Sequence, residues 1–242
     1  MEASSFFDKD GSFKEINLDD AESVKWYSQL EENGNEVVSS IDGIESMKPK
    51  VVNVIGVAQY DQSDFDLISI AQAVRNAEYK PKRMKAVIVR IREPKATGLI
   101  FTNGKINIVG CKSIEDSKRA AKKFGKLLVQ ILGTNVKLID FKISSIVAVV
   151  NAQFNIQIGA IAVADGHSKF CDYRPDRFAG LVYRLVQPKV TMLIFQSGSI
   201  ILNAKSVDDL DYASEWVYPI LQNFKKQTTE QIRQAEDSKY NS

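Results

Sequence analysis

The sequence predicts an α+β protein in which residues 50 to 226 hold two tandem copies of one unit. Each copy is a helix, a strand meander and a long helix. The copies are expected to be related by a pseudo-twofold axis, with their sheets side by side and their helices on one face. Three observations predict this. Residue n matches residue n+94 at Tyr79/Tyr173, Pro81/Pro175, Arg83/Arg177 and Gly104/Gly198, and at seven of the fifteen positions between 87 and 101. Short β-branched and apolar runs alternate with turn signals, Glu93-Pro94 and Thr102-Asn103-Gly104; an Asn-Gly between two strand-like runs is a strong hairpin signal. Finally, a long amphipathic helix follows each meander.

Taken in order, Val51 to Val57, Ala86 to Ile91, Gly98 to Phe101 and Ile106 to Val109 are predicted strands. Ser113 to Leu132 is a predicted helix. Ser113 with Asp116 forms a capping box, Ala120, Ala121, Phe124, Leu127, Leu128 and Ile131 recur at three and four, and Gly133 ends it. The pattern restarts after Asp140. Its second helix is capped by Ser206 with Asp209 and carries Leu210, Ala213, Trp216, Val217, Ile220, Leu221 and Phe224, with Pro219 expected to kink it. Four regions result: an acidic, largely disordered extension over 1–49 with one short helix around Ala21 to Leu30, a first repeat over 50–140, a second over 141–226, and a polar tail over 227–242.

The 242 residues suffice for a substantial core. The longest apolar stretch, Ser144 to Ala152, is far short of the ~20 residues that span a bilayer. The opening residues are acidic, with too brief an apolar run for a secretory signal. Cys111 and Cys171 are too few for a disulfide framework and suit a reducing compartment. The formal charge of +2 conceals a division: residues 1–49 carry twelve acids and four lysines, net −8, and the remainder is net +10. A basic body behind an acidic tail fits a polyanion partner, with a tail able to compete for the same surface; charge alone fits a solvated tail on an ordinary basic domain equally well. Enzymatic readings fail on inventory. The single histidine, His167, lies in a Gly-His-Ser turn, and there is no phosphate-cradling loop, no Cys or His cluster with ligand spacing and no carboxylate pair. No cofactor, metal, small-molecule substrate or membrane is expected.

With helices on one side, the other side of the sheet is expected to meet solvent or a partner. It does not alternate as a solvated face should. Asn53, Ile55 and Val57 share one face, as do Leu99 and Phe101, and neighbouring Val54, Ile100 and Val109 are also apolar. A sheet buried on both faces would give the same pattern, yet only four helices and two polar tails remain to cover it. An apolar strand face with basic margins fits a minor-groove reader, in which apolar wedges enter base steps and Arg and Lys hold phosphates.

Specific motifs strengthen this reading. Arg75-Asn76-Ala77-Glu78-Tyr79-Lys80-Pro81-Lys82-Arg83, Ile88-Val89-Arg90-Ile91-Arg92-Glu93-Pro94-Lys95, Leu99-Ile100-Phe101 and Asp140-Phe141-Lys142-Ile143 closely resemble the TATA-box-binding protein family. So do Gly180-Leu181-Val182-Tyr183-Arg184 and Leu193-Ile194-Phe195-Gln196-Ser197-Gly198. The resemblance spans about residues 50 to 226. It implies a pseudo-twofold saddle, a curved ten-stranded antiparallel sheet with four helices on the convex face. It also implies a non-enzymatic nuclear factor that binds and bends promoter DNA through the minor groove, and nucleates preinitiation-complex assembly with transcription factors IIA and IIB, associated factors and polymerase machinery. Kinking DNA with inserted apolar wedges is the mechanism for which that family is known.

Matched residue by residue, the resemblance implies wedges at Phe101, Phe178 and Phe195, with Met84 replacing a fourth aromatic. It implies groove-lining Leu99 and Leu193, and phosphate contacts at Arg90, Arg184, Lys105, Lys112 and Lys205. Further DNA-facing positions are Ile55, Val57, Asn103, Val147, Ser197 and Ile201. The groove floor departs from the family: Asn53 is kept, but Ser145 replaces its partner, Asn107 and Val109 replace a valine and a threonine, and Asn203 replaces the second threonine. An Asn carbonyl can accept from the guanine amino group, so the expectation is weaker discrimination of TATA. For protein partners the resemblance implies Asn76, Glu78, the basic helix Lys118, Lys122, Lys123 and Lys126, and the loop Arg174, Asp176 and Arg177, where the two arginines replace an acidic and an apolar residue. An alternative function is a divergent scaffold with weak or relaxed DNA binding.

Overall fold

The structure, a computed structural model, describes residues 17–21, 24–25, 27–29 and 47–227. Strand-forming residues dominate the body, and the turn chemistry closes them into one antiparallel sheet of ten strands. These are β1 (Lys50–Tyr60), β2 (Ala77–Tyr79), β3 (Ala86–Ile91), β4 (Ala96–Phe101), β5 (Lys105–Cys111), β6 (Leu138–Asn151), β7 (Cys171–Asp172), β8 (Leu181–Leu185), β9 (Val190–Ile194) and β10 (Ser199–Ala204). Their order, β2-β3-β4-β5-β1-β6-β10-β9-β8-β7, reads as one half-sheet and its mirror about the β1–β6 seam. The β4–β5 hairpin turns at Gly104 with φ +80°, and its counterpart between β9 and β10 turns at Gly198 with φ +92°. A Cβ at either would fall on backbone oxygen, 2.3 Å from Gln62 O or 2.4 Å from Phe154 O, so glycine is required there.

The seam is the longest pairing, from Lys50↔Val149 to Tyr60↔Leu138, with register shifts at Val51/Asn53, Ile55/Gly56 and Gln59/Tyr60. Bulges of this kind bend strands and raise their twist, and the sheet is curved.

Four α-helices cover the convex face: α1 (Leu67–Ala73), α2 (Ile114–Leu132), α3 (Ile158–Val163) and α4 (Val207–Asn223). The expected caps are present. Ser113 Oγ accepts from Asp116 N–H at 3.0 Å, Ser206 Oγ accepts from Asp209 N–H at 3.1 Å, and Gly133 ends α2 in the left-handed region at φ +66°. Helix α4 runs through Pro219. Between helices and sheet lies the larger core, with Ile70, Phe124, Leu128, Ile146, Val217 and Leu221 fully buried.

The concave face has a core of its own. Ile55, Leu99, Phe101, Val147, Phe178, Leu193, Phe195 and Ile201 are buried there, together with Leu18 and Tyr27 from the N-terminal extension. Helical residues in that extension are Ala21, Val24, Lys25, Tyr27, Ser28 and Gln29, within the predicted short helix. The face therefore meets a segment of its own chain, where the sequence led to an expectation of solvent or a partner. The rest of the acidic extension and the polar tail beyond residue 227 lie outside the described residues.

Candidate nucleic-acid interface

Period-two alternation along the strands assembles the concave face. On β1 it takes Asn53, Ile55 and Val57; opposite them stand Val147 with Asn53, Ser145 with Ile55, and Asn107 with Val57. On β4 it takes Leu99 and Phe101, with Leu99 facing Asn107 and Thr97 facing Val109. On β10, Ile201 faces Leu193 and Asn203 faces Thr191. The predicted floor residues thus fall on one surface.

Apolar side chains stand at both ends of that surface. In the second repeat the rings of Phe178 and Phe195 meet edge to face, centroids 5.5 Å apart at 72°, a geometry worth about 0.5–1.5 kcal/mol beyond burial. Gly180 is necessary to this pair, since a Cβ there would come within 2.7 Å of Phe178 and 2.9 Å of Phe195. In the first repeat Met84 and Phe101 belong to the same concave cluster, and Ala86 stands opposite Phe101.

Polar groups tune the floor. Asn53 Oδ1 accepts from Gly110 N–H at 2.8 Å. A backbone N–H only donates, so this bond fixes the amide oxygen and leaves the amide nitrogen for a ligand. One acceptor site of the Asn53 carbonyl is thereby taken within the protein. Ser145 Oγ donates to Asn203 Oδ1 across the β6–β10 pair, so a second floor carbonyl is used within the protein. Asn107 is buried on β5.

The basic margin is exposed: Arg90, Arg184, Lys105, Lys112 and Lys205. Arg90 Nη2 lies 3.7 Å from Glu78 Oε2. Lys80, hydrogen-bonded to Glu78 at 2.6 Å, holds that carboxyl below the usual carboxylate range, with Arg90 adding less. Asn103 and Ser197 sit at hairpin tips and use their side chains on their own turns. Asn103 Oδ1 accepts from Lys105 N–H at 3.2 Å, and Ser197 Oγ accepts from Ser199 N–H at 3.4 Å.

The positions expected to meet protein partners fall into three groups. Asn76 is exposed just before β2, and Glu78 lies on that strand. Lys118, Lys122 and Lys126 are exposed on α2, whereas Lys123 Nζ donates to Glu93 O at 2.6 Å and Arg119 pairs with Asp116 at 3.0 Å. In the loop before β8, Asp176 is exposed and Arg174 bridges two carboxylates, Asp172 through Nε and Asp19 through Nη1, both at 3.1 Å. Hydrogen bonding and charge from Asp172, then charge from Asp19, push its pKa up. Arg177 pairs with Asp19 as well.

Sequence reasoning missed two sets of residues. Ala86, Ile88 and Val182 line the same face, and their signal was the alternation that runs from Met84 to Arg90 and from Phe178 to Arg184. Leu18, Asp19 and Tyr27 were also missed, and two apolar anchors in an acidic stretch carry no period that would have found them. Among the described residues no His, Cys, Asp or Glu group could hold a metal ion, and no helix is long and apolar enough to cross a membrane.

Comparison with known proteins agrees with this geometry. A family model described as transcription factor TFIID (or TATA-binding protein, TBP) matches residues 48–131 and again 140–224. The chain is 42% identical over 200 residues to the TATA-box-binding protein of Schizosaccharomyces pombe, covering 82% of this chain and 85% of that protein. It is 45% identical over 179 residues to that of Candida albicans, covering 74% of each. Among solved structures, Methanococcus jannaschii TBP superposes with a TM-score of 0.61 at 33% identity, over 73% of this chain and 99% of that one. With both repeats matched and the ten strands laid out about one seam, the chain belongs to the TATA-binding protein family.

Proposed function

We propose that this protein is a general transcription initiation factor of the nucleus. It binds TATA-type promoter DNA through the minor groove, bends it, and nucleates a preinitiation complex with transcription factors IIA and IIB and associated factors. The observation that carries the reading is that Met84 and Phe101 of one repeat and Phe178 and Phe195 of the other lie on one strand face, with Arg90, Arg184, Lys105 and Lys205 exposed. Wedges at two places unstack two base steps, and the basic margin supplies sequence-independent phosphate contacts. With the carbonyls of Asn53 and Asn203 bonded inside the protein, Asn53 presents its N–H groups to the floor. Such donors match the acceptor-only minor-groove edges of A·T pairs. The family acts by binding, and no covalent chemistry is assigned to the chain. A scaffold without useful DNA affinity is not favoured, because relatives at 42% and 45% identity are named for binding the TATA box.

Energy transfer across an end-labelled TATA duplex tests the proposal. The expected result is a shortened end-to-end distance, the bend known for the family being about 80°. A G·C-substituted duplex should bind more weakly. No shortening at micromolar protein would remove the DNA-bending function.

A further inference from the structure

We infer that the segment 17–29 is a built-in occupant of the DNA face, an acidic strap with apolar anchors that must leave before a duplex enters. The inference rests on the function proposed above and concerns the regulation of that same face. Leu18 and Tyr27 are each 4% exposed and belong to one buried cluster with Met84, Phe101, Phe178 and Phe195, against which Val24 also packs. The segment therefore shares the apolar face that carries the wedges, and Asp19 fixes it beside the loop that precedes Phe178. A duplex needs those wedges between its base steps, so the two occupants exclude each other.

Charge points the same way. Asp19 pairs with both Arg174 and Arg177. These are the two loop positions where the sequence departs from its family in favour of arginine. The departures thus have a structural role within the chain, as the landing place of Asp19. The strap meets the face with the two chemistries DNA would use, apolar contact at the wedges and negative charge at exposed arginines.

When the competent state is only partly populated, the apparent dissociation constant equals the intrinsic one divided by that fraction. If the strap is seated in about nine molecules in ten, releasing it tightens DNA binding about tenfold. The test compares the full chain with its Leu18→Ala/Tyr27→Ala variant, which leaves net charge unchanged, on a fluorescent TATA duplex at low salt. The variant is expected to bind about tenfold tighter or better and to associate faster. Asp19→Asn should give a gain of only a few fold, because both of its pairs are solvent-exposed. Hydrogen exchange supplies a readout without DNA: the amides of Val24, Lys25, Tyr27, Ser28 and Gln29 are expected to be protected in the full chain, and to lose protection in the double variant or on adding the duplex. Equal affinities for the full chain and the variant overturn the competition while leaving the DNA-binding function intact. If no form binds the duplex, the function and the competition fall together.

Discussion

In the first repeat the ring of Phe124 lies over Gly98, whereas in the second repeat Met192 and Val217 occupy the corresponding places on strand and helix. The same exchange recurs nearby. Tyr60 N–H donates to Gly104 O, and Ala152 N–H donates to Gly198 O, which makes Tyr60 and Ala152 counterparts. Tyr60 packs on Gly125 and donates its hydroxyl to Ala121 O at 2.6 Å, while in the second repeat the large residue is Tyr218 on the helix and the small one is Ala152 on the strand. At the wedges, Met84 with Ala86 answers Phe178 with Gly180. At these three places the two repeats divide bulk differently between corresponding positions. Close packing explains why: a core tolerates redistribution of volume far better than its gain or loss.

The largest effect that sharpens this comparison is expected at Gly98. Gly98→Met brings the second repeat's side chain against the first repeat's Phe124, where even a Cβ would lie 2.6 Å from the ring. It should cost about 3 kcal/mol or more in urea denaturation. Adding Phe124→Val should recover part of that loss, and strictly additive costs would break the idea of shared volume. Next come the wedges. Phe178→Ala or Phe195→Ala should weaken TATA binding by about tenfold or more, and Met84→Ala by clearly less, since Met is the more flexible wedge. Met84→Phe should require Ala86→Gly to act, giving a shorter end-to-end distance in the double variant than in Met84→Phe alone. The smallest effects test where the repeats agree. Ser113→Ala and Ser206→Ala each remove one cap bond of similar length and should each cost about 1 kcal/mol in thermal denaturation.

Much of this was legible in the sequence because it is local. Asn103-Gly104, Ser113 with Asp116 and Ser206 with Asp209 each specify a turn or a cap within four residues, and the structure has all three. The 94-residue offset placed Phe101 against Phe195 and Met84 against Phe178 without any structure. What escaped was non-local. The full length of β6, Leu138–Asn151, spans a bulged pairing with β1 that no window of its own sequence specifies. The bond from Ser145 to Asn203 joins residues 58 apart in the chain. Seating Leu18 and Tyr27 on the concave face depends on a hydrophobic surface built by residues that follow them by 28 to 183 positions, Ile55 to Ile201.

The sheet ends in β2 and β7, three and two residues long. An outer strand is where a second polypeptide adds itself by main-chain bonding, and one so brief offers almost no template for it. A molecule that must keep a greasy working surface is thereby protected from growing laterally into fibrils, and whatever sticks to it has to approach face-on.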